Sequence, residues 1–114
     1  MREAMRLILE GEGFSVDEAV DGRRALDRVR SDPPRLVFLD LNIPGVAGTE
    51  VLTSIKGDAA TSSIPVIVVT AEGEEGRANV MRLGADGYLT KPFSPRALLR
   101  TIEQALGGFG PQGA

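Results

Sequence analysis

The stretch LVFLDLNIPG, residues 36–45, sets a single carboxylate at the end of an apolar run. Leu36, Val37, Phe38 and Leu39 leave no polar face, the pattern of a strand covered on both sides in a parallel sheet. Asp40 stands where that strand ends, and Pro44-Gly45 turns the chain away. Burying a charge is costly unless something pairs with it. The rest of the chain must therefore supply a partner for Asp40.

Working outward, helical and strand-like periods alternate. Residues 1–12 place Met1, Ala4, Met5 and Ile8 on one helical face, with Gly11 or Gly13 to close the helix. FSVDEAV, 14–20, alternates Phe14, Val16 and Val20 with polar residues and predicts a short strand, Glu18 being its irregular position. Asp21 is placed to cap a helix over 22–31, with Ala25, Leu26 and Val29 inward and Pro33-Pro34 as its stop. A helix near 47–57 follows Asp40, turning Val51, Leu52 and Ile55 inward.

IPVIVVTA, 64–71, is a second buried strand, with Pro65 tolerated at its start. Gly73 and Gly76 weaken the first turn of a helix over about 74–83, and Gly84 ends it. GYLT, 87–90, predicts a short strand. Ser94-Pro95 opens the last helix as N-cap and first-turn proline, with Leu98, Leu99, Ile102, Ala105 and Leu106 as its apolar stripe. Residues 107–114, GGFGPQGA, read as a flexible tail or linker after a single domain over 1–106.

Composition narrows the chemistry. A chain of 114 residues, 42% hydrophobic and 25% charged, suits one ordinary globular domain. It has no cysteine and no histidine, which excludes disulfides, thiolate sites, a Ser-His-Asp triad and the usual zinc constellations. A net charge of -3 argues against direct nucleic-acid binding. No apolar stretch approaches a membrane span and the first residues are no signal peptide, so a cytoplasmic location is expected.

Alternating helices and buried strands predict an α/β sheet covered on both faces, whose functional crevice lies beyond the carboxyl ends of its strands. The residues at those ends are Asp40, Thr70 and Lys91. A carboxylate, a hydroxyl and an ammonium from three strands would then meet at one rim. With LVFLDLNIPGVAG, PVIVVTA and GADGYLTKPF in this order and spacing, the chain resembles the receiver domains of two-component response regulators, from Met1 to about Leu106.

That resemblance implies a CheY-like, flavodoxin-like doubly wound sheet. It implies that Asp40 accepts a phosphoryl group from a histidine kinase or phosphotransfer protein, that Thr70 and Tyr88 switch in response, and that Lys91 pairs with the phosphorylated aspartate. It further implies a cis bond at Lys91-Pro92, and Mg²⁺ held by Asp40 and the backbone carbonyl of Asn42. The chemistry suits these types, because phosphoryl transfer asks mainly for positioning and for charge at the phosphoryl oxygens. Such a module is a switch for an effector protein or output domain. It is no enzyme beyond its own phosphorylation and dephosphorylation.

Two elements of the family pattern are missing from these residues: its first strand and the acidic pair that ends it. Met1 opens on the following helix, so Mg²⁺ is left a short ligand set, which Glu72 could supplement. Either the natural protein begins upstream, or this is a shortened receiver; the intact Asp40, Thr70 and Lys91 favour the first. The gap predicts exposed sheet edges, which either close as 14–20 slides across to pair with 36–41 in a four-stranded sheet or join two chains in a homodimer. Two alternatives use the same parts: a phosphorylation-independent interaction module, and a haloacid-dehalogenase-like phosphohydrolase. The hydrolase pattern wants a second aspartate where Asn42 stands.

Overall fold

The computed structural model describes residues 2–19, 21–41, 48–71 and 74–106. In chain order its elements are α1 (Arg2–Gly11), α2 (Gly22–Ser31), β1 (Val37–Asp40), α3 (Gly48–Gly57), β2 (Val66–Thr70), α4 (Glu74–Arg82), β3 (Gly87–Thr90) and α5 (Pro95–Leu106). The strands form one parallel sheet in the order β1-β2-β3. Each parallel pairing requires a crossover, and here each crossover is a helix.

β2 is central, and every one of its residues is buried. Its side chains alternate between two cores, as strand geometry demands. Val66 and Val68 face Leu26 and Val29 of α2, Val51, Leu52 and Ile55 of α3, and Val80 of α4. Ile67 and Val69 face Leu9 of α1 and Leu98 and Ile102 of α5. The continuous apolar run of 66–69 is thus the signature of a strand with helices on both sides.

Helix ends follow local chemistry. Asp21 caps α2 by accepting the Arg24 amide at 2.8 Å, and Ser94 caps α5 by accepting the Ala97 amide at 3.1 Å. α1 differs in detail from its sequence reading. Leu9 is its buried residue, Met5 and Ile8 are half-buried beside it, and Ala4 is exposed. The apolar seam has simply rotated to bury the larger side chains, and Met1 lies outside the described residues.

The expected strand at 14–20 does not form. Among the described residues, 14–19 form no ladder, and the four-stranded sheet expected from pairing 14–20 with 36–41 is absent there. The alternation is nevertheless real, since Phe14 and Val16 both pack on the α1–α5 core. Side chains hold the segment where a ladder would: Arg6 of α1 reaches Glu18 at 2.7 Å and the Val16 carbonyl at 3.3 Å, and Arg28 of α2 pairs with Asp17. Strand formation needs a neighbouring backbone edge as well as a periodic pattern. Among the described residues β1 is consequently an edge strand, and three of its four residues are only half-buried.

Candidate functional site

The carboxyl ends of the three strands lie side by side. Asp40 is the register partner of Val69, and Thr70, one residue further, is the partner of Thr90. Two backbone bonds tie the ends beyond the ladder: the Leu41 amide donates to the Val69 carbonyl at 3.3 Å, and the Lys91 amide to the Thr70 carbonyl at 2.8 Å. Lys91 therefore leaves the sheet two residues beyond the level of Asp40, with β2 between them.

Lys91 closes that gap. Its Nζ lies 2.6 Å from Asp40 Oδ2, a charge-assisted hydrogen bond joining residues 51 apart in sequence. The lysine side chain is 22% exposed and the aspartate 36%, so the pair is partly withdrawn from water yet open to an incoming group. The cost of holding a carboxylate at the end of an apolar strand is met by this cation.

Thr70 is fully buried. It has the parity of Val66 and Val68 and so belongs to the face that carries α3 and α4. Tyr88, half-buried against that same core, is the register partner of Val68, which places it diagonally behind Thr70. The Lys91–Pro92 peptide is cis. The structure thus brings together Asp40, Lys91 and Thr70 at one rim, with Tyr88 one step back. Asn42 and Glu72 lie outside the described residues.

Gly48, the first residue of α3, approaches this rim from behind. A Cβ there would fall 2.6 Å from the Leu41 Cα, so only glycine lets the helix start this close to the strand it follows. For Mg²⁺, the described residues are a poor fit. Asp40 offers one carboxylate, already bonded to Lys91, and no three acidic side chains gather anywhere among the described residues. An octahedral cation with oxygen ligands needs more than this.

One cluster was not legible in the sequence. At the opposite end of the sheet, Lys56 in the last turn of α3 pairs with Asp86 at 2.6 Å and donates to the carbonyls of Ser62 at 3.1 Å and Ile64 at 2.8 Å. The only clue was Asp86, set between Gly84 and Gly87 in the GADG stretch.

Comparison with known proteins agrees with this geometry. The model of the response regulator receiver domain family matches residues 1–103. The phosphate regulon transcriptional regulatory protein PhoB of Klebsiella pneumoniae is 38% identical over 112 residues, 97% of this chain and 49% of PhoB. A response regulator from Chloroflexus aurantiacus superposes with a TM-score of 0.88 at 28% identity, over 93% of this chain and 88% of that one. The receiver domain of the sensor histidine kinase PA1611 from Pseudomonas aeruginosa, solved with a magnesium ion in its active-site cleft, shares the fold with a TM-score of 0.85 at 24% identity. That match covers 94% of this chain and 88% of the other.

The chain belongs to the response regulator receiver domain family. It is a signalling module of two-component systems with the flavodoxin-like fold, and nothing favours the hydrolase or the phosphorylation-independent alternative. The chain spans about half the length of the curated relatives it matches.

Proposed function

We propose that Asp40 is the phosphoacceptor of this receiver and that Lys91, Thr70 and Tyr88 convert its phosphorylation into a change of surface. The observation that carries this reading is the 2.6 Å contact between Lys91 Nζ and Asp40 Oδ2 across the central strand. A carboxylate oxygen of Asp40 attacks the phosphorus of a phosphohistidine. The P–N bond breaks, the imidazole keeps the electron pair and takes up a proton, and an acyl phosphate forms on the aspartate.

Lys91 is already at the place where new negative charge develops. On transfer its ammonium passes from a carboxylate oxygen to a phosphoryl oxygen, with no long movement of its side chain. Thr70 supplies a hydroxyl donor from the neighbouring strand. Because Tyr88 shares Thr70's face, a shift at Thr70 is felt at the α4–β3 side of the domain. The phosphate thereby biases which face a downstream effector or output domain meets. The donor is a histidine kinase or phosphotransfer protein, and the reaction takes place in the cytoplasm.

Mg²⁺ enters the proposal only as a weak ligand, since the described donors do not form a magnesium site. The edge of β1 supports a further part of the reading: unpaired strand edges recruit other strands, so chains self-associate there at high concentration. Sedimentation velocity over a concentration series checks this; a strictly monomeric chain at every concentration contradicts it. The phosphoacceptor reading is tested by incubating the chain with a small acyl phosphate donor. Alkali-labile label should appear on the wild type and vanish in Asp40→Asn. Undiminished label in that variant would overturn the assignment.

A further inference from the structure

We infer that Lys56 and Asp86 form a positioning pair that holds β3 in place at its far end, so that Lys91 falls on Asp40. The inference rests on the phosphoacceptor reading for its functional consequence. Its structural half stands alone.

The pair is built as a clasp. The Lys56 ammonium donates to the Ile64 carbonyl at 2.8 Å and the Ser62 carbonyl at 3.1 Å, and forms an ion pair with the Asp86 carboxylate at 2.6 Å. Lys56 is only 14% exposed, the lowest exposure of any cation in a described ion pair. Its aliphatic stem lies under Gly84, where a Cβ would come within 3.1 Å of Lys56 Cγ, and Gly84 itself holds a φ of +107°. A side chain at Gly84 would strain the backbone and press on the lysine together.

Asp86 is tied to β2 by both of its ends. Its Oδ2 accepts the Val66 amide at 2.9 Å, and its own amide donates to the Val66 carbonyl at 2.8 Å. These bonds add a rung below the first ladder pair of β2 and β3, Ile67↔Gly87. One lysine thus joins the end of α3, the loop before β2 and the residue before β3.

β3 is four residues long, and Lys91 follows it directly. With so short a strand, its register on β2 is fixed by what holds its two ends: the clasp at Asp86 and the Lys91 amide bonded to Thr70. Freeing the first end lets the strand slide and tilt, and the displacement appears at the second, where Lys91 must meet Asp40. A merely stabilising ion pair would have no such directional effect.

The test uses the full chain with Asp86→Asn, which keeps an acceptor for Val66, and Lys56→Met, which keeps the stem under Gly84. Amide hydrogen exchange is followed by NMR, and label from a small acyl phosphate is timed in parallel. Leu9→Ala, a core truncation on α1 that leaves the Lys56–Asp86 clasp intact, serves as the destabilised control. Both clasp variants are expected to lower protection of the Lys91 amide about five- to tenfold and to slow labelling by a similar factor. The double variant should be no worse than either single one, because the two residues act as a unit.

Leu9→Ala should leave the Lys91 amide unchanged relative to its neighbours. Unaltered Lys91 protection in both clasp variants, alongside reduced global stability, would overturn the inference. If the wild type takes no label at all, the phosphoacceptor reading fails, and the exchange measurement still decides the clasp. Lowered Lys91 protection with an unchanged labelling rate would refute the functional half.

Discussion

Replacing Lys91 by Met and Asp40 by Asn, singly and together, isolates the contact that defines the site. Lys91→Met keeps most of the side-chain volume and removes the charge; Asp40→Asn keeps the shape and removes the countercharge. Fully exposed ion pairs are worth about 0.2–1 kcal/mol, and hydrogen bonds to charged groups about 1.5–3 kcal/mol. With 22% and 36% of the two side chains exposed, this pair falls between those classes. A coupling energy of about 1–2 kcal/mol is expected.

Measured by urea denaturation, that coupling corresponds to roughly 1 M in the midpoint for a slope of about 1–2 kcal/mol per molar. Because the pair is partly withdrawn from water, most of the coupling should survive ~0.5 M NaCl, where the Debye length is only about 4 Å. Single substitutions alone would mislead, since each also changes what its remaining partner meets. A coupling below about 0.3 kcal/mol, the limit of ordinary additivity, would refute the claim that Lys91 is held on Asp40 before any phosphate arrives.

Other outcomes test the frame around the site. Asp21→Ala removes the α2 cap that accepts the Arg24 amide and should cost about 1 kcal/mol, read as a lowered urea midpoint. Leu52→Ala empties a fully buried position between α3 and the sheet; a loss of about 2–5 kcal/mol by the same assay is expected. Gly84→Ala should cost about 1–2 kcal/mol, because alanine must adopt the positive φ and meet the Lys56 stem. Titration with Mg²⁺, followed by NMR shifts of the Lys91 amide, should show no saturation in the millimolar range; tight binding would mean that residues beyond those described complete a site.

Much of the fold was legible because its signals are local. The apolar run of 66–69 marked a strand covered on both sides, and Asp21 and Ser94 marked helix starts by chemistry that acts within one turn. Locating strand ends then singled out Asp40, Thr70 and Lys91, since a parallel sheet brings its carboxyl ends together. What the sequence concealed depends on distant partners. Phe14 and Val16 alternate as a strand should, but among the described residues no strand pairs with them, so pattern did not become ladder. Lys56 and Asp86 are 30 positions apart and outside every apolar period, so nothing local announced their contact.

The candidate site's polar residues stood out for a different reason. Its three polar residues each interrupt or end an apolar run, where a charge or hydroxyl needs a purpose. Tyr88 is less conspicuous, because an aromatic in a short strand is ordinary core material; only the register Val68↔Tyr88 sets it behind Thr70. The burial of Thr70 was equally beyond local reading, as a threonine ending a strand is commonly half-exposed.

The most direct test of the central claim is the chemical position of the phosphoryl group. After labelling with a small acyl phosphate donor, borohydride reduction converts an aspartyl phosphate to homoserine, and tandem mass spectrometry locates the converted residue. Homoserine at position 40, and at no other aspartate, is the predicted result. Conversion elsewhere, or a stable phosphate on a hydroxyl with position 40 still aspartate, would contradict the account.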